Sequence, residues 1–151
     1  MCVGDICSRD VITIAPDASL CDAARVMREK HVGMLVVVGP AAEPADRIVQ
    51  GVLTDRDIVV TVVGRDAEAK DLKVMDVMTH NPLLVAEGTS VAGALRFMRA
   101  DGVRRVPVVG ARNQLVGVMS IDDVLDVVAD QLTAISGAIR GEHSRERVMR
   151  P

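Results

Sequence analysis

The chain is almost devoid of aromatic side chains: its 151 residues include one phenylalanine, Phe97, and no tryptophan or tyrosine. Proteins that bind single-stranded nucleic acid stack the bases on aromatic side chains. The net charge is only −3, whereas a nucleic-acid-binding surface is strongly basic. We therefore do not expect nucleic acid as a partner, and a purine ligand would have to lie between aliphatic side chains.

Cysteine and long apolar runs are also scarce. The three cysteines, Cys2, Cys7 and Cys21, have neither the number nor the spacing of a disulfide framework or a zinc site. His31 and His80 lack neighbouring Cys, Asp or Glu at zinc-binding spacing, so no metal is expected. Apolar runs such as residues 34–38 are too short to cross a bilayer, and the first residues do not resemble a signal peptide. These absences predict a cytoplasmic protein with no membrane association.

An internal repeat is the main feature that the sequence does have. The segment GVLTDRD at residues 51–57 is matched by GVMSIDD at residues 117–123. Positions between 3 and 38 have their counterparts 71 residues further along the chain, whereas from residue 51 onwards the offset is 66. The difference lies in residues 39–46, where Pro and Ala predict a longer hairpin loop in the first half. A repeat of this length predicts two pseudo-symmetric halves.

Each half has the same predicted order of elements. Short strands at 11–14 and 83–85 precede amphipathic helices, for which Ser19 and Ser90 are candidate N-caps. Buried β-branched strands follow, with antiparallel partners, and second helices begin near Asp55 and Ile121. We predict an α+β (α/β) fold of two β-α-β-β-α repeats packed through their sheets. The predicted boundaries are 1–66 and 73–135 for the repeats, 67–72 for a linker, and 136–151 for a polar, arginine-containing tail that is solvated and frayed or contacts a partner.

The repeated motif places a hydroxyl at a strand-to-helix junction, Thr54 in one half and Ser120 in the other. Free backbone N–H groups and the helix dipole favour an anion at such a junction. The aspartate three residues later, Asp57 or Asp123, offers two acceptor oxygens that suit the hydroxyls of a ribose. The same spacing is also that of a capping box, which needs no ligand. The motif alone leaves both interpretations open.

The combination of motifs resembles a tandem cystathionine-β-synthase (CBS) domain pair, or Bateman module, over residues 3 to about 135. Besides the two segments above, VGDI at 3–6, MDVMTHNP at 75–82 and GVRRVPVV at 102–109 contribute to the resemblance. The resemblance implies a cleft between the repeats that binds an adenosine-containing ligand such as AMP, ADP, ATP, NAD or S-adenosylmethionine. It also implies a homodimer formed through helices, and Met27, Met98, Val128 and Leu132 are candidates either for that interface or, equally, for the ordinary core.

Two ligand sites follow from the resemblance. The first would use Thr54 and Asp57, with the base lined by Thr79, Asn81, Pro82 and Leu83. The second would use Ser120 and Asp123, with the base lined by Ser8, Val11 and Ile12. Arg104, Arg105 and Arg56 are candidates for phosphate binding, and because Gly33 and Met34 replace the two arginines in the first repeat, the sites should differ in affinity or ligand.

The predicted function is regulatory. An adenine nucleotide would bias the geometry of the repeats, and an effector protein in trans would respond, so that the chain senses energy or cofactor state. The alternative is an assembly module that dimerises without ligand and whose nucleotide sites are vestigial. No arrangement of catalytic residues is recognisable, so we do not expect an enzyme or a catalytic cofactor.

Overall fold

The computed structural model describes residues 1–149, except for the side chains of Pro44 and residues 141–149. In the first half, the helices are α1 (Val3–Ile6), α2 (Leu20–Lys30) and α3 (Asp55–Val62), and the strands are β1 (Thr13–Ile14), β2 (Met34–Val38) and β3 (Val49–Thr54). In the second half, the helices are α4 (Val74–Val77), α5 (Val91–Asp101) and α6 (Ile121–Met149), and the strands are β4 (Thr79–His80), β5 (Val85–Ala86), β6 (Arg105–Val109) and β7 (Leu115–Ser120).

The first long helix of each half begins and ends in the same way. Ser19 Oγ accepts a hydrogen bond from Asp22 N at 3.0 Å, and Ser90 Oγ accepts one from Gly93 N at 3.2 Å. Both serines thus satisfy a backbone N–H that the helix cannot pair, as predicted. Each helix then ends at a residue in the left-handed conformation, His31 with φ 54° and Gly102 with φ 69°.

The two sheets repeat one another in pairing and register. β1 runs parallel to β2, and β2 is antiparallel to β3; β5, β6 and β7 pair in the same way. An irregularity follows Val37 in one sheet and Val108 in the other. The loop between β2 and β3 is the longer one, as predicted, and contains a 3₁₀ turn at Pro44–Asp46. The predicted α+β fold of two related halves is therefore confirmed.

The leading segment of each half crosses to the other half. β4 pairs with β3, so that Thr79 lies opposite Val52, and Ser8 forms a bridge with Val118 of β7 at the equivalent place. Val3 of α1 is fully buried in the apolar core of the second half, and Val74 of α4 is fully buried in that of the first. The two repeats therefore exchange their first helices, and neither core is built from one repeat alone.

A third apolar cluster joins the sheets. Val36, Val38 and Val49 of the first sheet pack with Val109 of the second, and Val118 lies against them. These β-branched side chains account for the short, unbroken apolar runs of β2 and β6, because strands buried between two layers need no polar alternation. The prediction that the repeats pack through their sheets is confirmed.

Several finer predictions differ from the structure. Met27 and Met98 belong to the two cores, with exposures of 7% and 1%, so they are unavailable for an interface between chains. Val11 and Ile12 precede β1 rather than forming part of it, and Leu83 precedes β5 in the same way.

The predicted tail does not form a separate frayed segment, because α6 continues to Met149. Arg150 and the side chains of Arg145 and Arg147 lie outside the described residues. Across the described part of the chain, no helix has both the length and the apolar character required to span a membrane.

Candidate functional site

Two clefts open between the halves. The large cleft has a volume of about 540 Å³, and the small cleft has a volume of about 240 Å³. The large cleft contains residues predicted for the first site, namely Thr54, Arg56, Asp57, Thr79, Pro82, Leu83, Arg104 and Arg105. The small cleft contains those predicted for the second, namely Ser8, Val11, Ile12, Ser120 and Asp123, together with Arg105.

The two clefts are related by the pseudo-symmetry of the fold. Thr54 and Asp57 in the large cleft correspond to Ser120 and Asp123 in the small one. The crossing segments correspond as well, with Thr79, Pro82 and Leu83 on one side and Ser8, Val11 and Ile12 on the other. Each cleft therefore combines the hydroxyl and aspartate of one repeat with the leading segment of the other.

Both repeated motifs form complete capping boxes. Asp57 Oδ2 accepts hydrogen bonds from Thr54 N at 2.8 Å and from Thr54 Oγ1 at 2.7 Å, and Asp57 N donates to Thr54 Oγ1 at 3.2 Å. Ser120 and Asp123 repeat the arrangement, with the N–H of Ser120 2.6 Å from Asp123 Oδ2. Within the described part of the chain, neither Oδ1 accepts a hydrogen bond. Each carboxylate thus holds the helix start with one oxygen and has a second available for a ligand.

The glycine that opens each motif is required by the crossing segment. A Cβ added to Gly51 would lie 2.8 Å from the carbonyl oxygen of Thr79 and 2.7 Å from Met78 Sδ. A Cβ at Gly117 would lie 2.6 Å from the carbonyl oxygen of Ser8. Only glycine permits the segments to pass this closely, and the passage brings Thr79 and Ser8 to the clefts.

The cations are distributed unequally between the clefts. Arg105 lines both clefts, whereas Arg104 and Arg56 line only the large one. Their pseudo-symmetric counterparts are uncharged or acidic, since Gly33 stands in place of Arg104 and Asp122 in place of Arg56. The large cleft is therefore better suited to a phosphate chain.

Arg105 is held only loosely by its own chain. Its guanidinium lies 4.0 Å from Asp122 Oδ2, and both side chains are about half exposed or more. An exposed pair of this kind contributes little. An anionic ligand in either cleft can therefore compete for Arg105.

Asn81 is the predicted site residue that does not line the clefts. Its backbone is left-handed, with φ 48°, and turns the chain between β4 and Pro82, which leaves the residue exposed. The expectation that it contacts the base is therefore not supported by its position.

Sequence reasoning missed part of the lining. Asp10 and His31 line the small cleft, and Asp55 and Asp101 line the large one. One of them, His31, could have been predicted from the repeat. It is the counterpart of Gly102, which begins the segment that contains Arg104 and Arg105. Cys7, beside the small cleft, has its pKa raised by burial. Residues 1–140 contain no group of three or more His, Cys, Asp or Glu side chains that could hold a metal ion.

Comparison with known proteins identifies the family. The CBS domain family matches residues 3–64 and again residues 74–130. The chain belongs to the CBS domain family. The two matched segments correspond to the two repeats, and the clefts lie between these CBS domains.

Individual relatives support this assignment. An uncharacterized protein of Methanopyrus kandleri is 33% identical over 83% of this chain and 61% of its own length. The CBS domain-containing protein YhcV of Bacillus subtilis is 31% identical over 81% of each chain. The crystal structure of CBSX2 in complex with AMP superposes with a TM-score of 0.70 at 26% identity, over 85% of this chain and 96% of that one.

Proposed function

We propose that this CBS domain pair is a regulatory module that binds an adenine nucleotide, AMP, ADP, ATP or NAD, in the clefts between its repeats. The observation that carries the proposal is the composition of each cleft, in which a hydroxyl and an aspartate of one repeat face the leading segment of the other. The likeness to CBSX2, which was crystallised with AMP, supports the same class of ligand.

The ribose would bind to the aspartates. Asp57 Oδ1 and Asp123 Oδ1 are free of the capping hydrogen bonds that occupy the other carboxylate oxygen. A carboxylate oxygen accepts readily from the adjacent hydroxyls of a ribose. The capping box then has a second role, because it fixes the orientation of the carboxylate before the ligand arrives.

The base would lie between aliphatic side chains, as a chain without tryptophan or tyrosine requires. Pro82 and Leu83 line the large cleft, and Val11 and Ile12 line the small cleft. Phosphates in the large cleft would face Arg104, Arg105 and Arg56. The N-terminus of α3 lies beside them and adds its dipole.

The regulatory part of the proposal follows from where the clefts lie. A ligand that touches both repeats stabilises the relative geometry in which both sets of contacts are made, and shifts the molecule towards it. An effector protein in trans that binds one geometry better than another would respond to the nucleotide. We propose no catalytic step and no catalytic cofactor.

A second function is favoured by one observation. Both capping boxes are complete without a ligand, so the motif could be retained for structure alone. The chain would then be a module that assembles with itself or a partner, and its clefts would be vestigial.

Mass spectrometry of the filtrate from denatured, desalted protein would identify a nucleotide carried through purification. Calorimetric titration with AMP, ADP, ATP and NAD would then give the affinity and the number of sites. At 100 times Kd, a ligand should stabilise the fold by about 2.7 kcal/mol.

Asp57→Ala and Ser90→Ala separate the two functions. Each substitution removes one capping interaction and should cost about 1 kcal/mol of stability, but Ser90 does not line either cleft. The ligand-binding proposal expects nucleotide to stabilise Ser90→Ala as much as wild type and Asp57→Ala markedly less. Equal responses of the two variants, or no response of wild type to any of the four nucleotides, would favour the assembly module.

A further inference from the structure

A histidine at the end of α2 lines the small cleft. His31 ends the helix in the left-handed conformation, with φ 54°, and its counterpart Gly102 ends α5 with φ 69°. Helices commonly end in this way at glycine, which has no Cβ, whereas other residues adopt the conformation at a cost. Strained backbone positions cluster at functional sites. His31 borders the cleft, so a side chain reaches a candidate ligand site from a position where glycine would be less strained.

His31 can add a second positive charge to the small cleft. The charged groups that line the cleft with it are Arg105 of β6, Asp10 before β1 and Asp123 in the first turn of α6. With a neutral imidazole, the described residues around this cleft therefore contribute one cation and two carboxylates. Protonation of His31 makes the numbers of positive and negative groups equal.

The large cleft has equal numbers of positive and negative groups without a histidine. Its lining includes three arginines and three aspartates, namely Arg56, Arg104, Arg105, Asp55, Asp57 and Asp101. A protonated His31 would thus give the small cleft the same balance of charge as the large one.

Other charged groups also lie close to the end of α2. Arg28, Glu29 and Lys30 belong to the last turn of the helix. The carboxylate of Asp55 lies on the side of Gly33, with Oδ2 3.1 Å from the place of a would-be Cβ. Of these four groups, none lines the small cleft, so a ligand there would face His31 and Arg105 rather than the helix.

The volume of the small cleft limits how much phosphate it can hold. The small cleft encloses about 240 Å³ and the large cleft about 540 Å³. The aspartate proposed for the ribose and the aliphatic residues proposed for the base have counterparts in both clefts. The difference in volume therefore falls mainly on the space left for phosphate. One phosphate group between Arg105 and His31 is a better match to the small cleft than a chain of three.

We propose that His31 determines the ligand specificity of the small cleft, which with a protonated imidazole binds a nucleoside monophosphate. Histidine changes its charge between about pH 5 and pH 8, so the small cleft loses its second cation as the pH rises and then suits an uncharged nucleoside better. Arginine keeps its charge throughout that range, so the large cleft does not change in this way. The inference rests on the proposed function, because it assumes that a ribose binds at Asp123.

The test measures AMP binding by the small cleft alone. Asp57→Ala removes the ribose contact of the large cleft, and this variant is titrated calorimetrically with AMP at about pH 6 and about pH 8. His31→Asn is then added, because asparagine tolerates the left-handed conformation and carries no charge. His80→Asn is the matched control, since His80 is an exposed histidine that lines neither cleft.

The expected result is a loss of AMP affinity that depends on pH. At about pH 6, His31→Asn should weaken AMP binding about fivefold or more, because a charge-assisted hydrogen bond to the phosphate is lost. At about pH 8 it should change the affinity little, and His80→Asn should have no effect at either pH. Comparing variants at the same pH cancels the titration of the phosphate of AMP itself. Adenosine, which has no phosphate, should bind equally to all the variants.

Several results would overturn the proposal. Unchanged AMP affinity in His31→Asn at the lower pH would do so while leaving nucleotide binding intact. Equal losses at both pH values, or an equal loss for adenosine, would mean that His31 shapes the cleft rather than binds phosphate. Tighter binding of ATP than of AMP by Asp57→Ala would contradict the ligand class. Wild-type protein that binds none of the four nucleotides would instead overturn the proposed function, and this inference with it.

A second substitution guards against a disturbed helix end. His31→Gly copies the counterpart Gly102 and removes both the imidazole and the backbone strain, so it should be at least as stable as wild type. It should show the same pH-dependent loss of AMP affinity as His31→Asn. Circular dichroism and thermal unfolding would show that both variants keep the fold, and different AMP affinities of the two at the lower pH would mean that charge is not the cause.

Discussion

At Gly51 and Gly117, the lack of a Cβ atom is needed both for the fold and for the site. Each lies where the leading segment of the other repeat crosses its strand, with backbone carbonyl oxygens 2.8 and 2.6 Å from a would-be Cβ. The neighbour is backbone, so it cannot yield by changing rotamer. The crossing segment carries Thr79 in one case and Ser8 in the other, and these residues line the clefts.

We predict that Gly51→Ala destabilises the protein by about 1–3 kcal/mol, the usual cost of overpacking a tight site. It should also weaken any ligand of the large cleft, because Thr79 must move. Gly88→Ala is the control, since an added Cβ there meets nothing within 4 Å. Urea unfolding followed by circular dichroism measures the stability, and a Gly51→Ala variant as stable as Gly88→Ala would show that the crossing can relax.

The sequence was sufficient to predict the paired hydroxyls and aspartates, but not the reason for the glycines. Thr54 and Asp57 are three residues apart, so their contact is local and the spacing reveals it. The partner of Gly51 is Thr79, which lies on the other repeat. That contact depends on how the repeats exchange segments, and neither propensity nor spacing carries this information.

At the scale of elements, the exchange of α1 and α4 couples the two halves. Val74 belongs to the second repeat but is fully buried in the core of the first, and Val3 does the reverse. Each four-residue helix is too short to be stable alone, and so it depends on the core that it completes. Unfolding of one half should therefore disrupt the other.

We predict that Val74→Ala costs about 2 kcal/mol, from lost apolar burial and the cavity left behind. Met75→Ala on the same helix is the control, because Met75 is 40% exposed and its loss should change stability by about 0.5 kcal/mol or less. Both variants should unfold in one transition in urea. Two separate transitions, with only the first half affected by Val74→Ala, would contradict the coupling.

Hydrophobic periodicity predicted the helices and strands well, but it did not predict what each apolar helix face packs against. Met27 and Met98 have the spacing of an apolar helix face, but the same face could meet a core or another chain, and the structure places both in cores. Val128 and Leu132 have the same kind of spacing and are exposed. Burial depends on what the fold brings opposite each face, which a single helix sequence does not specify.

At the scale of the whole molecule, the pseudo-symmetry creates two equivalent clefts, and sequence differences between the repeats make the charges of the two clefts unequal. Met34 and Arg105 occupy equivalent positions in β2 and β6, and both side chains line both clefts. One guanidinium is therefore shared. Arg104 lines the large cleft alone, and its counterpart, Gly33, brings no second charge to the small one. The two adjacent arginines therefore differ in role, because Arg105 can serve both clefts and Arg104 only the large one.

We predict that Arg104→Ala weakens ATP binding in the large cleft about tenfold or more, since a charge-assisted hydrogen bond contributes about 1.5–3 kcal/mol. Arg105→Ala should weaken binding in both clefts. Arg99→Ala, an exposed arginine of α5 that lines neither cleft, is the control for the loss of one positive charge.

The measurement is calorimetric titration of each variant with ATP and, separately, with adenosine. Adenosine has no phosphate, so its affinity should be the same in all three variants, and the loss should be confined to ATP. Equal losses for both ligands would mean that the arginines hold the cleft together rather than bind phosphate. A loss from Arg105→Ala at one site only would mean that Arg105 serves one cleft, and the two sites would then bind their ligands independently. If instead both sites weaken, two phosphate chains must compete for one guanidinium, and filling one cleft should lower the affinity of the other.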